Sequence, residues 1–205
     1  MMRNSVIIGL TGGSGAGKSE AAKIFATVGA EIIDADRIGH EVILKGASAA
    51  YDEVLAEFGT HILSLSGEID RKSLGAIVFA DADKLARLSE IVHKYIIERI
   101  FGIIAATESR LIIIDAAVLI QAGIHKICDK VLGIFAPLDA RIARICARDG
   151  LERADALARI RSQMSDGELA QYVDARIDND GNFEEFQTRI MDFIADIFGG
   201  LWTGN

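Results

Sequence analysis

The run Gly12-Gly13-Ser14-Gly15-Ala16-Gly17-Lys18-Ser19 constrains this chain more than any other feature, because it fits G-x-x-x-x-G-K-[ST]. An apolar run at residues 6–10 leads into it, and a helical apolar pattern at 21–28 follows. A strand that turns through glycines into a helix offers backbone N–H groups and the positive end of a helix dipole to an anion, and chains that use this unit fold as open α/β sheets. Gly13, Ser14, Gly15, Ala16 and Gly17 are expected to cradle a nucleoside triphosphate, Lys18 to neutralise its β- and γ-phosphates, and the Ser19 hydroxyl to ligate Mg²⁺. A glycine turn with no ligand is the bland alternative.

The rest of the chain repeats the alternation. Strand-like runs at 6–10, 31–34, 111–114, 130–135 and 173–178 are separated by helix-length segments, which predicts a five-stranded parallel sheet flanked by helices. Segment 182–198 carries Phe183, Phe186, Ile190, Phe193 and Ile197 at helical spacing, and Asn182 with Glu185 resembles a capping box. About 75 residues of helical pattern lie between the second and third strands, including 84–106 with Leu85, Leu88, Ile91, Tyr95 and Ile103 on one side. An inserted helical subdomain is expected there, with a thicker helical layer as the alternative.

Composition narrows the class. Mean hydropathy is +0.27, yet the longest strongly apolar stretch, 111–120, contains Asp115 and is far short of the roughly 20 residues that span a bilayer. The first ten residues lack the apolar run of a secretion signal. The two cysteines, Cys128 and Cys146, sit in apolar-periodic contexts and are expected to be buried thiols in a reducing, cytoplasmic compartment. A net charge of −8 argues against general nucleic-acid binding. The charge is uneven, since residues 141–161 hold six arginines against three acids. Arg141, Arg144 and Arg148 recur on one helical face, and a planar guanidinium suits the charge of a transferring phosphoryl. They are expected to form a mobile lid; a solvated face is the alternative.

Two acidic elements complete the candidate site. Asp34-Ala35-Asp36-Arg37 ends the second strand, where ligands bind in open sheets, so one carboxylate is expected to act on an acceptor hydroxyl and the other to hold metal or water. An N-cap role is the competing reading. The run ending at Asp115 has the form of a strand that places an acid beside the loop to bind Mg²⁺, a weak pattern because an acid at a strand end is common.

Taken together these residues resemble the dephospho-coenzyme A kinase family, from Ile7 to Ile190. The phosphate loop, the Asp34-Ala35-Asp36 segment, Phe58-Gly59, Ile69-Asp70-Arg71, Val78-Phe79, His93, Arg144, Arg148-Asp149, Arg159-Ile160, Gln163-Met164 and Ile177-Asp178-Asn179-Asp180-Gly181 match its order. The resemblance implies a P-loop NTPase fold of the nucleotide-kinase type: core at about 1–36, 107–140 and 170–205, helical acceptor-binding insertion at about 37–106, and arginine-rich lid at about 141–169. It implies ATP-dependent phosphorylation of the ribose 3′-hydroxyl of dephospho-coenzyme A. Lys18, Asp36, Arg144 and Arg148 would be catalytic, with Asp34 as the alternative base, and Asn179 would join the ATP site. Asp34, Arg37, Arg71 and His93 would bind the acceptor, and Ser19 and Asp34 the Mg²⁺. Small-molecule substrates, no nucleic-acid or membrane partner, and a monomer or weak homo-oligomer are expected. The chain departs from the family in lacking proline after His93 and at Ala117, in carrying Gln121 where an acid is usual, and in carrying Glu20 where Thr is commoner. Rival readings are a nucleoside- or shikimate-type kinase and a nucleotide-dependent switch, though no Asn-Lys-x-Asp motif is present.

Overall fold

A computed structural model describes residues 5–199. The elements run β1 (Val6–Thr11), α1 (Lys18–Thr27), β2 (Glu31–Asp34), α2 (Ala35–Glu41), α3 (Ala50–Phe58), α4 (Arg71–Val78), α5 (Ala82–Ala106), β3 (Leu111–Asp115), β4 (Lys130–Phe135), α6 (Leu138–Asp149), α7 (Arg153–Arg161), α8 (Asp166–Leu169), β5 (Ala175–Asp178) and α9 (Phe183–Ile197). The sheet has the order β2-β3-β1-β4-β5 and is parallel, with Leu10 opposite Asp115 and Thr11 opposite Gly133. Such strands are buried on both faces, which is why Ile7, Ile8, Ile112 and Ile113 are all fully inaccessible despite pointing alternately up and down.

The chain divides into two compact units: residues up to Ile33 with those from Glu108 onward, and Asp34–Thr107. In the first, Ile8, Leu10, Phe25, Ile113, Leu132, Ile134, Phe186 and Ile190 form one core, and Phe25 meets Phe193 edge-on at 6.4 Å. The second is built of α2–α5, each packed against the long α5 or near it. Aspartates start three of its four helices: Asp34 caps α2, Asp70 caps α4 and Asp81 caps α5, each accepting from backbone N–H groups of the first turn. Such caps contribute about 1 kcal/mol apiece.

Several expectations shift. The fifth strand starts at Ala175 rather than 173, because Val173 and Asp174 form the approach and the Asp174 carboxylate accepts from the Val131 N–H instead. On α9 the buried stripe is Phe186, Ile190 and Ile194, and Phe183 is half exposed. Asn182 caps that helix by accepting from the Glu185 N–H, but the Glu185 carboxylate returns to the Asn182 side-chain amide, so the box is closed through side chains. On α5, Leu85 is exposed, because it borders an open cavity rather than a core. Both cysteines are half-buried rather than buried, and neither forms a disulfide. Among the described residues no helix is long and apolar enough to cross a membrane.

Candidate active site

The loop between β1 and α1 is shaped by glycines at two positions in particular. Gly15 and Gly17 adopt φ of 77° and 109°, a region that favours glycine, and a Cβ on Gly17 would lie 2.1 Å from the Asn179 side-chain amide. Gly17 also begins α1 without any side-chain cap, so no capping side chain stands over the positive end of that helix. A cavity of about 280 Å³ opens here, lined by the loop from Gly12 to Glu20 together with Ala117, Arg144, Arg148, Arg159 and Gln163. Beside it a smaller hollow of about 120 Å³ includes Gln121, Gln163 and Met164.

Lys18 forms an ion pair with Asp115 at the end of β3. The pairing follows from strand order: β3 adjoins β1 and ends level with Leu10, which carries its terminal carboxylate to the mouth of the loop. Asp115, the weakest of the acidic signals in sequence, is therefore a carboxylate that the fold joins to the loop lysine. Ser19 is exposed at the same helix end.

The arginines of α6 divide their labour. Their expected common role as a mobile face does not hold for Arg141, which is 4% exposed: its Nε donates to the Ser14 carbonyl at 2.9 Å and its Nη1 to the Asp166 carboxylate at 2.9 Å. The helical stripe is real, but Arg141 and Arg144 face the loop backbone and Arg148 alone of the three keeps an exposed side chain. Arg144 donates to the Gly15 and Ala16 carbonyls at 3.2 and 3.3 Å and to Asn179. Asn179 is buried and its Nδ2 donates to the Ala16 carbonyl at 2.8 Å, so it braces the loop from behind. Arg148 faces the cavity and makes a two-pronged contact with Asp149 at 2.7 and 2.8 Å, and Arg159 reaches the same carboxylate at 2.7 Å. Hydrogen bonding from Arg148, with the charge of both arginines, holds the Asp149 carboxyl below its ordinary range, and Asp149 in turn raises Arg148. Gln163, whose Oε1 accepts from the Ser14 N–H at 2.8 Å, was not among the expected site residues. Only its place in the Gln163-Met164 match pointed to it.

The remaining expected residues belong to the helical unit. Asp34 accepts from the Arg37 N–H at 2.8 Å as the α2 cap, so one of its oxygens has the structural role, while Asp36 lies in the first turn of the same helix. Arg37 is exposed and pairs with Glu41 at 3.5 Å, away from the unit's cavity lining. Arg71 and His93 do come together, on a cavity of about 570 Å³ walled by Leu74, Val78, Phe79, Leu88 and Ile96. Burial pushes the His93 imidazole below its ordinary range, favouring the neutral ring. An unexpected neighbour is His40, whose Nε2 lies 2.8 Å from an Arg71 guanidinium nitrogen. The arrangement suits a ligand with an apolar body and an anionic group.

Comparison with known proteins completes the description. The model of the dephospho-CoA kinase family matches residues 6–185. A dephospho-CoA kinase of Carboxydothermus hydrogenoformans is 37% identical over 191 residues, covering 92% of each chain. Among solved structures, a Thermus thermophilus protein superposes with a TM-score of 0.79 at 26% identity, covering 94% of this chain and 98% of its own. A dephospho-CoA kinase from Campylobacter jejuni superposes with a TM-score of 0.68 at 26% identity, covering 97% of this chain and 99% of its own.

Proposed function

The chain belongs to the dephospho-CoA kinase family, and from that premise we propose that it transfers the γ-phosphoryl of ATP to the ribose 3′-hydroxyl of dephospho-CoA, giving coenzyme A and ADP. The observation that carries the acceptor is the reach of the family match: residues 6–185 take in the whole of the helical unit, not the loop alone. A phosphate loop by itself serves many acceptors.

Each residue has a part. The loop from Gly13 to Ser19 holds the triphosphate, and Lys18, kept in place by Asp115, offsets charge on the β- and γ-phosphates. Arg144 and Arg148 supply guanidinium groups at the same cavity. Asp36 takes the proton of the 3′-hydroxyl as its oxygen bonds to the γ-phosphorus, and the β–γ bridging oxygen leaves with ADP. Asp34 is the alternative base. Arg71 and His93 contribute to the acceptor site from the cavity of the helical unit, and Arg37 joins them through the family resemblance. Asn179 serves the ATP site by bracing Ala16 and Gly17.

Mg²⁺ fits the oxygen donors present. Among the described residues no three His, Cys, Asp or Glu side chains gather as a cage, and Mg²⁺ is commonly held by one or two protein oxygens together with substrate phosphates and water. Ser19 and Asp34 would hold it, with Asp115 beside Lys18 as a further oxygen ligand; bound there, it would neutralise charge on the phosphates. The reading is completed by a cytoplasmic location, small-molecule substrates, no nucleic-acid or membrane partner, and a monomer or weak homo-oligomer; the net charge of −8 supports the absence of a nucleic-acid partner.

The test is ADP production from MgATP with dephospho-CoA, nucleosides and shikimate offered separately, with Lys18→Ala as the blank. Turnover confined to dephospho-CoA is expected; turnover with another acceptor and none with dephospho-CoA would overturn the reading.

A further inference from the structure

We propose that Arg141 is a positioning residue of the nucleotide site, setting the direction of one loop N–H that the phosphates need; the inference rests on reading the loop as that site. The guanidinium is 4% exposed, and a charge so far from water is retained only where acceptors meet it. Two do: the Ser14 carbonyl at 2.9 Å and the Asp166 carboxylate at 2.9 Å.

The consequence follows from peptide planarity. In a trans peptide the carbonyl and the next residue's N–H point in opposite directions. Drawing the Ser14 carbonyl toward α6 therefore turns the Gly15 N–H the other way. Gly15 lines the cavity whereas Arg141 does not, and the Gly15 N–H has no acceptor among the described residues. The next peptides are held more than once, since the Ala16 carbonyl accepts from both Arg144 and Asn179. Among the described residues the Ser14–Gly15 peptide has Arg141 alone.

The loop also hems in Arg141 itself: a Cβ at Gly13 would lie 2.1 Å from its Nη2, so the loop backbone is packed directly against the guanidinium. Asp166 stands three residues beyond Gln163, whose side chain accepts from the Ser14 N–H, so both sides of Ser14 are tied to the same short segment. Arg141 touches no reacting atom; its action passes through the backbone.

The experiment compares wild type, Arg141→Gln and Arg141→Lys by calorimetric titration with ADP and by steady-state kinetics in each substrate. Arg141→Gln is expected to weaken ADP about tenfold, the equivalent of ~1.4 kcal/mol, and to raise the KM for ATP alike while the KM for dephospho-CoA stays put. Arg141→Lys should fall between, because one ammonium cannot serve both acceptors in the guanidinium geometry. If Arg141→Gln fails to melt cooperatively, Asp166→Asn carries the test, leaving the arginine but removing its anion; a smaller loss of ADP affinity at constant acceptor KM is expected. Wild-type ADP affinity in the folded variant, or a parallel rise of both KM values, would overturn the inference while the nucleotide reading stands. A wild-type chain that bound no ADP would sink both.

Discussion

The two units of this chain solve recognition by different means. Around the loop, the groups proposed to meet a ligand come from consecutive residues, and the loop backbone is held from behind by Arg141, Arg144 and Asn179. In the helical unit, the cavity is assembled from side chains of α2, α4 and α5, with an apolar wall and a rim of His40, Arg71 and His93. The contrast teaches that a site made of backbone demands a fixed string of glycines, whereas one made of side chains demands only that a fold bring scattered residues together. The first tolerates little change; the second can be retuned residue by residue.

Variants can break or sharpen that division. The largest effect is expected from Lys18→Ala, which should lower turnover about a thousandfold by removing charge from the loop. A steady-state assay with a thermal melt to verify the fold would check it. Asp36→Asn is expected to lower kcat about a hundredfold while ADP titrates as in wild type, since a lost base affects transfer and not nucleotide binding. Arg71→Ala should raise the KM for the acceptor about tenfold with the KM for ATP unchanged. A matching rise in both would erase the distinction between the units.

The smallest effect concerns pH. Burial lowers the pKa of His93, so the folded chain binds fewer protons there than the unfolded one. Stability therefore falls as pH drops below the unfolded value of about 6.5 and levels off below the folded value. His93→Gln should flatten that part of the melting-temperature profile, and an unaltered profile would show that His93 does not contribute to it.

What the sequence disclosed follows the same line. The strands are legible because a parallel strand buried on both faces reads as an unbroken apolar run, and 111–114 is an example. The loop was legible because its chemistry is contiguous. The burial of Arg141 is not legible in the sequence, because helical spacing tells which residues share a face, not what that face meets. The apolar run ending at Asp115 places an acid beside the loop but does not tell that it pairs with Lys18, and the contacts of Gln163 with Ser14 and of His40 with Arg71 join residues distant in sequence, which local patterns do not pair. Leu85 and Phe183 share the spacing of their neighbours yet are exposed, because periodicity does not distinguish a core from the edge of a cavity or an exposed helix start.

The division of labour is tested most directly by amide hydrogen exchange with each ligand added alone. ADP should slow exchange in residues 13–19 and leave 71–96 unchanged, and dephospho-CoA should slow exchange within 71–79 and 85–96. Dephospho-CoA that left the helical unit's exchange untouched, or protected only the loop, would contradict the account.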